Sequence, residues 1–406
     1  MAKKNFQEAL LRPPVEDHQL PDEAGAPSSW AILDVRAYIA DCRNATTAYG
    51  HLRNGVEIQV TFCVARPPVV SYLCFWCPES THLADLGVEP IIKAAEADLV
   101  IFGVGLGMIM LDDPYCLFFN RGILRHRDIT NPYDDQYHIA SLVSSSKKSW
   151  QFVLHLFDSR TESWSSQCLS VHGKENQHRQ FRFSPRKAIM LGQGGLMGFV
   201  DLWRGILICD VLDCNNKSLH YLPFPRSLRD NKKLRLQPVL ARDIVVVQGC
   251  IKVIDCFYCS ASSAWKVPVW SMADTSVGKN WDRDYMFHVN NDLVDNSTFH
   301  LELLPKLQQA NDGNSPQQLL EALYITHPTL SLNDDKAYFM AKIDPYDKRA
   351  WVLAVDLKNK RLQDVGVFQA DRSHGVTLSY IHSRISQYFK TEQGNYNDSS
   401  MYDCIF

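Results

Sequence analysis

The feature that most constrains the fold of this chain is a repeated unit of strand and turn. Each copy is a short apolar segment that ends in aspartate and leads into a polar turn. The four copies are Val153–Asp158, Ile206–Asp210, Lys252–Asp255 and Trp351–Asp356. The terminal aspartates, Asp158, Asp210, Asp255 and Asp356, lie 52, 45 and 101 residues apart, so the last interval is about twice the others.

Repeats of this length with several strands each are typical of β-propeller blades. A single four-stranded blade cannot cover both of its faces, so blades must stack around an axis. We therefore predict an all-β, propeller-like fold of about six irregular blades. The alternative is a set of packed β-sandwiches in which the spacing of the aspartates is coincidental.

Helical periodicity is scarce, and the sequence predicts only one or two short helices. One is expected within Leu307–Tyr324 and another within Leu86–Ala97. Residues 1–28 are expected to be disordered, because much of this segment consists of proline, acidic and small residues. Residues 29–390 are predicted to form a single propeller-like domain, followed by a flexible tail over residues 391–406.

The stretch Gly198–Asp213, GFVDLWRGILICDVLD, lies at the centre of the repeat. It predicts two strands joined at Trp203-Arg204-Gly205, with Gly205 adopting a backbone geometry that a side chain would forbid. Trp203 is expected to pack between blades, and the aspartate at the end of the second strand is expected to cap the following turn. These positions, together with the other repeat aspartates, are predicted to be structural. Arg204 is the one candidate for contact with a ligand.

A second candidate contact surface is a basic loop with five cationic side chains in ten residues. Such a loop can meet an acidic partner or a phosphate. It is also a common feature of solvated surfaces. The members are Arg226, Arg229, Lys232, Lys233 and Arg235.

Two Cys-x-x-Cys pairs, Cys74 with Cys77 and Cys256 with Cys259, raise the question of a tetrahedral zinc site. The residues between each pair are aromatic and belong to strand patterns. Positions i and i+3 of a strand face opposite sides, so the pattern favours buried thiols over metal ligation. No metal and no cofactor are therefore expected, with the four cysteines kept as a weak zinc candidate.

Composition and motifs restrict the function further. The formal net charge of −3 and the isoelectric point of about 6.5 argue against nucleic acid as a partner. The longest apolar run, Leu99–Leu111, is too short to span a bilayer, and no secretory signal is present. We therefore expect a soluble protein in the cytoplasm, the nucleus or both.

The glycine-rich segments 103–107 and 192–198 are not followed by helical patterns, which argues against a dinucleotide-binding loop. No catalytic residues are predicted.

The chain also resembles a known family. The segments that carry the resemblance include Ser29–Val35, Val56–Pro68, Asp201–Val211, Leu219–Pro225 and Arg242–Cys250. They are similar to the plant proteins, abundant in grasses, that are grouped as domain-of-unknown-function family 1618. The family core would cover roughly residues 200–270.

This resemblance implies no biochemical activity, since the family has none established. Its members are similar to the propeller-like domains that accompany plant F-boxes, but the residues before Ser29 are too few for an F-box. We therefore predict a non-enzymatic protein-interaction module of unknown partner, assumed to be monomeric. The alternative is a hydrolase or carbohydrate-acting enzyme in which acidic residues from several blades meet in a central pocket.

Overall fold

The computed structural model describes the greater part of the chain in separate ranges. These are residues 13–14, 29–51, 55–78, 86–97, 99–106, 121–127, 135–145, 148–172, 181–192, 194–213, 218–229, 237–260, 264–273, 280–289, 323–344, 349–369 and 380–388. All structural statements below concern these residues.

The described residues form 25 β-strands that group into six blades. Blade 1 joins the last strand to the first five: β25 (Tyr380–Ser383), β1 (Ala31–Asp34), β2 (Tyr38–Ile39), β3 (Ala48–His51), β4 (Glu57–Cys63) and β5 (Val70–Trp76). Blade 2 is the pair β6 (Leu86–Glu96) and β7 (Leu99–Leu106). Blade 3 comprises β8 (Arg121–Arg127), β9 (Asp135–Ser144), β10 (Gln151–Asp158) and β11 (Ser163–His172).

The other three blades follow in chain order. Blade 4 comprises β12 (Lys187–Met190), β13 (Leu196–Asp201), β14 (Gly205–Asp210) and β15 (Leu219–Pro223). Blade 5 comprises β16 (Arg242–Val247), β17 (Cys250–Asp255), β18 (Phe257–Cys259), β19 (Ala264–Met272) and β20 (Asp282–His288). Blade 6 comprises β21 (Tyr324–Leu330), β22 (Lys336–Lys342), β23 (Arg349–Asp356) and β24 (Arg361–Gln369).

Most neighbouring strands are antiparallel, as expected for strands joined by short turns. The exceptions are parallel pairs in blade 1 and the short pairing of Val171 and His172 with Leu219 and His220, which links blades 3 and 4 into one eight-stranded sheet.

Apolar contacts between blades close these groups into a ring. Blades 1 and 2 share a buried cluster, as do blades 2 and 3, 3 and 4, and 4 and 5. The largest cluster continues from blade 5 through blade 6 into blade 1, where the rings of Trp30 and Tyr338 meet edge-on at 5.2 Å. The ring is completed by β25, which pairs with β1 in antiparallel register from Ala31 opposite Ser383 to Asp34 opposite Tyr380.

The predicted all-β, propeller-like architecture of about six irregular blades is therefore confirmed. Packed sandwiches would bury each sheet against one partner, whereas each blade here packs against two neighbours. The named domain boundaries stay a prediction, because residues 1–28, apart from 13–14, and 391–406 lie outside the described residues. Pro14 does accept a hydrogen bond of 2.9 Å from the Tyr72 hydroxyl.

The prediction of a helix over Leu86–Ala97 is wrong, because Leu86–Glu96 is strand β6. Its pairing with β7 shifts register three times, between Leu86 and Val88, Val88 and Ile91, and Ile92 and Ala94. Each irregularity breaks the period-2 alternation, so the apolar side chains fall at spacings that imitate a helix.

Few helices occur among the described residues. They are α1 (Arg226–Arg229) and two 3-10 turns, Pro238–Leu240 and Ile385–Tyr388. The other predicted helix, Leu307–Tyr324, lies outside the described residues except for its last two. No helix in the described part of the chain is long and apolar enough to cross a membrane.

Candidate functional site

A cavity of about 310 Å³ lies where the inner strands of all six blades meet. Its walls come from β25, β6, β8, β12, β16 and β21, one strand from each blade. Propeller-like folds create such a space because strands that pack around an axis cannot fill the axis itself. The cavity is the candidate functional site.

Three charged or titratable side chains from three blades meet in its wall. The Lys187 ammonium on β12 donates to Asp243 Oδ1 on β16 at 2.6 Å and to the carbonyl oxygen of Ile244 at 2.8 Å. On the other side of the carboxylate, His382 Nδ1 on β25 lies 3.5 Å from Asp243 Oδ2. That nitrogen is buried and makes no hydrogen bond to the described residues, so the second contact is electrostatic rather than an aligned hydrogen bond.

The environment sets the charge state of this cluster. Burial alone would raise the pKa of Asp243, but the charge of Lys187 and the contact with His382 outweigh it and hold the pKa well below its usual range. Burial lowers the pKa of His382, Lys187 lowers it further, and Asp243 opposes both. At neutral pH the cluster is therefore a Lys–Asp ion pair beside a neutral imidazole.

Glu96, Arg384 and Arg186 also belong to the charged wall. Burial raises the pKa of Glu96, against the opposing charge of Arg384. The Arg384 guanidinium donates to the Leu332 carbonyl oxygen at 3.2 Å and to Asn333 Oδ1 at 3.4 Å. Arg186 is exposed to solvent at the start of β12, so it lies at the rim of the cavity.

Arg242 also borders the cavity, but its guanidinium is turned into the body of the protein. It bonds to Asp255 Oδ1 at 3.3 Å and to the carbonyl oxygens of Leu202 and Leu228 at 2.8 and 3.1 Å. Its carbon Cζ lies 5.0 Å from the ring centroid of Trp203. Trp203 therefore packs against a buried cation at the junction of blades 4 and 5.

A family model described as DUF1618, a protein of unknown function, matches residues 199–338, from β13 to β22. Over this segment the chain is similar to the DUF1618 family. The match is longer than the segment 200–270 expected from the sequence, and it includes the Arg242 and Asp243 side of the cavity. No curated protein matches the chain.

Two solved structures show a loose likeness to this chain. One is the β-propeller domain of Cps50 (Swd1) from Myceliophteria thermophila, with 7% identity, 80% of this chain and 87% of that chain covered, and a TM-score of 0.27. The other is a tail fibre of a Staphylococcus aureus phage, with 9% identity, coverage of 80% and 83%, and a TM-score of 0.17. The architecture assigned above rests on the blades and their shared clusters.

The stretch Gly198–Asp213 forms a β-hairpin. Strands β13 and β14 pair in register from Leu196 opposite Asp210 to Asp201 opposite Gly205. Arg204 in the turn is partly exposed and forms an ion pair of 3.1 Å with Asp201. At Gly205 the backbone has φ of 153°, and a Cβ atom would collide with the Leu222 carbonyl oxygen.

The four repeat aspartates fall into two kinds. Asp158, Asp210 and Asp356 end strands and accept hydrogen bonds from backbone N–H groups two or three residues later, as turn-capping aspartates do. Asp255 instead is buried and faces the Arg242 guanidinium. One sequence pattern thus covers two structural roles.

The basic loop is only partly within the described residues. Arg226 is exposed at the start of α1, and Arg229 ends this helix. Lys232, Lys233 and Arg235 lie outside the described residues. Whether these side chains form a contact surface stays a prediction.

The structure does not bring the two Cys-x-x-Cys pairs together. Cys74 packs with Tyr38 and Tyr72, Cys77 lies in the cluster shared by blades 1 and 2, and Cys256 lies in the cluster of blades 5 and 6. Cys259 is on β18. Within the described ranges, no group of three or more His, Cys, Asp or Glu side chains is arranged to hold a metal ion.

Sequence reasoning missed the cavity residues. Lys187, Asp243 and His382 are far apart in the chain and belong to no local motif. The signal that could have found them is a polar residue within or beside the apolar run of an inner strand, as in KAIM, RDIVVV and YIHS. A side chain at such a place faces the centre of the ring.

A second surface lies on the outer side of blade 3. Over Ser163–Ser170, β11 pairs with β10 along one edge, and its pairing with β15 is limited to Val171 and His172. Seven of these eight residues are exposed, and the segment SWSSQCLS contains neither charge nor proline. The described part of the chain therefore presents an uncharged, eight-residue strand edge to solvent.

Proposed function

We propose that the protein is a non-enzymatic interaction module that binds an extended peptide segment of a partner along the edge of β11. The observation that carries the proposal is this edge over Ser163–Ser170, which faces solvent with no strand paired to it among the described residues. An open edge offers alternating N–H and C=O groups, and an added strand is the ligand that satisfies them all.

Comparison with the other outer strands supports the choice of β11. Soluble proteins protect strand edges by charge, proline, short length or a covering segment. The outer strand β20 begins with Asp282-Arg283-Asp284, and β3 has only four residues. The outer strand β24 carries the charged residues Arg361 and Asp364. Within the described part of the chain, β11 shows none of these protections over Ser163–Ser170.

An aromatic patch beside the edge supplies an anchor. The rings of Phe157 and Trp164 lie 5.3 Å apart, and Tyr137 stacks on Phe157 at 6.2 Å. Trp164 keeps 42% of its surface exposed. Partly exposed aromatic side chains at a binding edge commonly contribute much of the affinity, so we expect an apolar side chain of the peptide to contact Trp164.

The test is selection of peptides of about ten residues from a random library on the full chain, followed by two proline variants. Neighbouring N–H groups of a strand point to opposite sides, so one of Gln167 and Cys168 directs its N–H toward β10 and the other toward the open edge. Replacing the outward one, by Gln167→Pro or Cys168→Pro, is expected to abolish peptide binding with little change in melting temperature. The inward replacement is expected to lower the melting temperature.

The two variants are thus matched controls for each other. The proposal is wrong if no peptide is selected, or if both proline variants bind the selected peptide as the wild type does.

The basic residues form a further predicted contact for an acidic partner. They are Arg204, Arg226, Arg229, Lys232, Lys233 and Arg235. Reversal of the charges of the last five would weaken binding of such a partner without affecting a neutral peptide. A cytoplasmic or nuclear location and a monomeric state are part of this proposal.

An acid–base enzyme is the second candidate, because two carboxylates line the central cavity and their pKa values are displaced in opposite directions. Glu96 would be the proton donor and Asp243 the ionised partner. The assay is turnover of a panel of nitrophenyl glycosides and esters between pH 5 and 7. Activity that is lost in Glu96→Gln would favour the enzyme. No turnover by the folded wild type would exclude these substrate classes.

A further inference from the structure

We propose that the central cavity binds a small organic phosphate monoester. The charges of its wall point to an anion. Among the described residues that line it, six are cationic and two carry carboxylates, and a compact dianion is the ligand that such a wall favours. The cations are Lys93, Arg121, Arg186, Lys187, Arg242 and Arg384, and the carboxylates are Glu96 and Asp243.

Three of the cations carry the inference. The Lys187 ammonium has three donors, of which two bond to Asp243 and Ile244 in the described structure. The Arg384 guanidinium has five donors, and its two described bonds are long, at 3.2 and 3.4 Å. Arg186 is exposed at the rim, and a planar guanidinium binds two phosphate oxygens at once.

The two carboxylates do not oppose an anionic ligand strongly. Asp243 is neutralised by Lys187 at 2.6 Å. Burial raises the pKa of Glu96, so its carboxyl group takes up a proton more readily than an exposed glutamate does, and a protonated carboxyl group can donate a hydrogen bond to a phosphate oxygen. Arg242 is not counted toward the binding of the anion, because its guanidinium is turned away from the cavity and is engaged by Asp255 and two backbone carbonyls.

The remainder of the wall favours an organic group on the phosphate. Apolar side chains of Val35, Ile92, Ile123, Ile189 and Val246 line the same space. A volume of about 310 Å³ is at the lower end for pockets that bind small molecules, which limits the organic group to about the size of one ring.

Gly192 and Arg186 are exposed residues that line the cavity on either side of β12. Gly192 lines the cavity with φ of 112° and has no heavy atom within 4 Å of the position of a Cβ atom, so the backbone there faces open space. A ligand can therefore approach Gly192 and Arg186 from solvent.

The experiment is isothermal titration calorimetry of the full chain with phenyl phosphate, inorganic phosphate and phenol. We expect binding of phenyl phosphate, weaker binding of inorganic phosphate and none of phenol. Arg186→Gln and Arg384→Gln are each expected to weaken phenyl phosphate binding about tenfold or more, since each removes a charge-assisted hydrogen bond. Arg182→Gln is the matched control, because Arg182 is exposed four residues before Arg186 and does not line the cavity.

Melting temperatures of all variants accompany the titrations, and Arg186→Gln changes an exposed side chain that the fold does not require. The proposal is overturned if phenyl phosphate does not bind to the folded wild type. It is equally overturned if Arg186→Gln binds as the wild type does, or if Arg182→Gln weakens binding to the same extent. Inorganic phosphate that binds as tightly as phenyl phosphate would show that the apolar wall contributes nothing and would overturn the organic part of the ligand.

Discussion

Arg242 and Asp255 form an ion pair from which solvent is excluded on both sides. Arg242 Nε lies 3.3 Å from Asp255 Oδ1, and the two side chains are 0% and 2% exposed. They sit opposite each other at the end of the β16–β17 hairpin, in register. The ion pair stabilises the start of β16, and the next residue of this strand, Asp243, lines the cavity. The same ion pair therefore stabilises both the fold and the position of Asp243 in the candidate site.

We expect Asp255→Ala to destabilise the protein by about 3–5 kcal/mol, because it leaves the Arg242 charge buried without its partner. The midpoint and slope of urea unfolding measure the change. Asp210→Ala is the matched control, since Asp210 is the exposed member of the same repeat and caps a turn. Its loss is expected to be about 1 kcal/mol. Equal effects of the two substitutions would contradict the distinction between buried and capping aspartates.

Trp203→Ala tests the neighbour of this pair. The substitution removes the ring below the Arg242 guanidinium and is expected to destabilise the protein by about 3–5 kcal/mol, as truncation of a large packed side chain does. Thermal and urea unfolding give the measurement. Trp203→Phe keeps an aromatic face and should recover part of the loss. An unchanged melting temperature for Trp203→Ala together with lost peptide binding would instead make Trp203 a contact residue.

Much of blade 4 was predictable from sequence because its signals are local. The apolar alternation on both sides of Trp203-Arg204-Gly205 is enough to define a hairpin, and an aspartate after an apolar run is enough to define a turn. β6 was not predictable in this way, since three register shifts remove the alternation on which the interpretation depends. The cluster of Lys187, Asp243 and His382 was beyond local reasoning, because only ring closure by β25 brings residue 382 beside residue 243.

Gly205 should tolerate substitution less well than another glycine with positive φ. Gly205→Ala places a methyl group against the Leu222 carbonyl oxygen, whereas Gly55 has φ of 83° and no heavy atom within 4 Å of a Cβ position. Gly55→Ala is expected to destabilise the protein by about 1 kcal/mol through backbone strain alone. Gly205→Ala adds steric overlap with the Leu222 carbonyl oxygen. We expect this overlap to lower the free energy of unfolding by about 1–3 kcal/mol more. Urea unfolding of the two variants measures the difference. Similar losses of unfolding free energy would show that the backbone around Leu222 moves to accommodate the added methyl group.

His382 predicts how stability depends on pH. Its pKa in the folded protein is lowered by burial and by Lys187, against the opposing effect of Asp243. The unfolded chain therefore binds a proton more readily than the folded one below the ordinary histidine pKa of about 6.5. The contribution of this residue to stability is fully present above that pH and is lost as the pH falls through the window below it.

We accordingly expect the wild-type melting temperature to fall between pH 7.5 and pH 5, and to fall less in His382→Gln, which cannot take up the proton. Lys187 and Arg384 are the cations whose charges act on His382. Asp243 contributes in the same direction at lower pH only, since its pKa is also lowered and its stabilisation is lost below the ordinary aspartate pKa of about 3.9. His172→Gln is the control, because His172 is exposed on β11 and should leave the slope unchanged. If the melting temperature of His382→Gln falls as much between pH 7.5 and pH 5 as that of the wild type, protonation of His382 is not the cause of the pH dependence of stability.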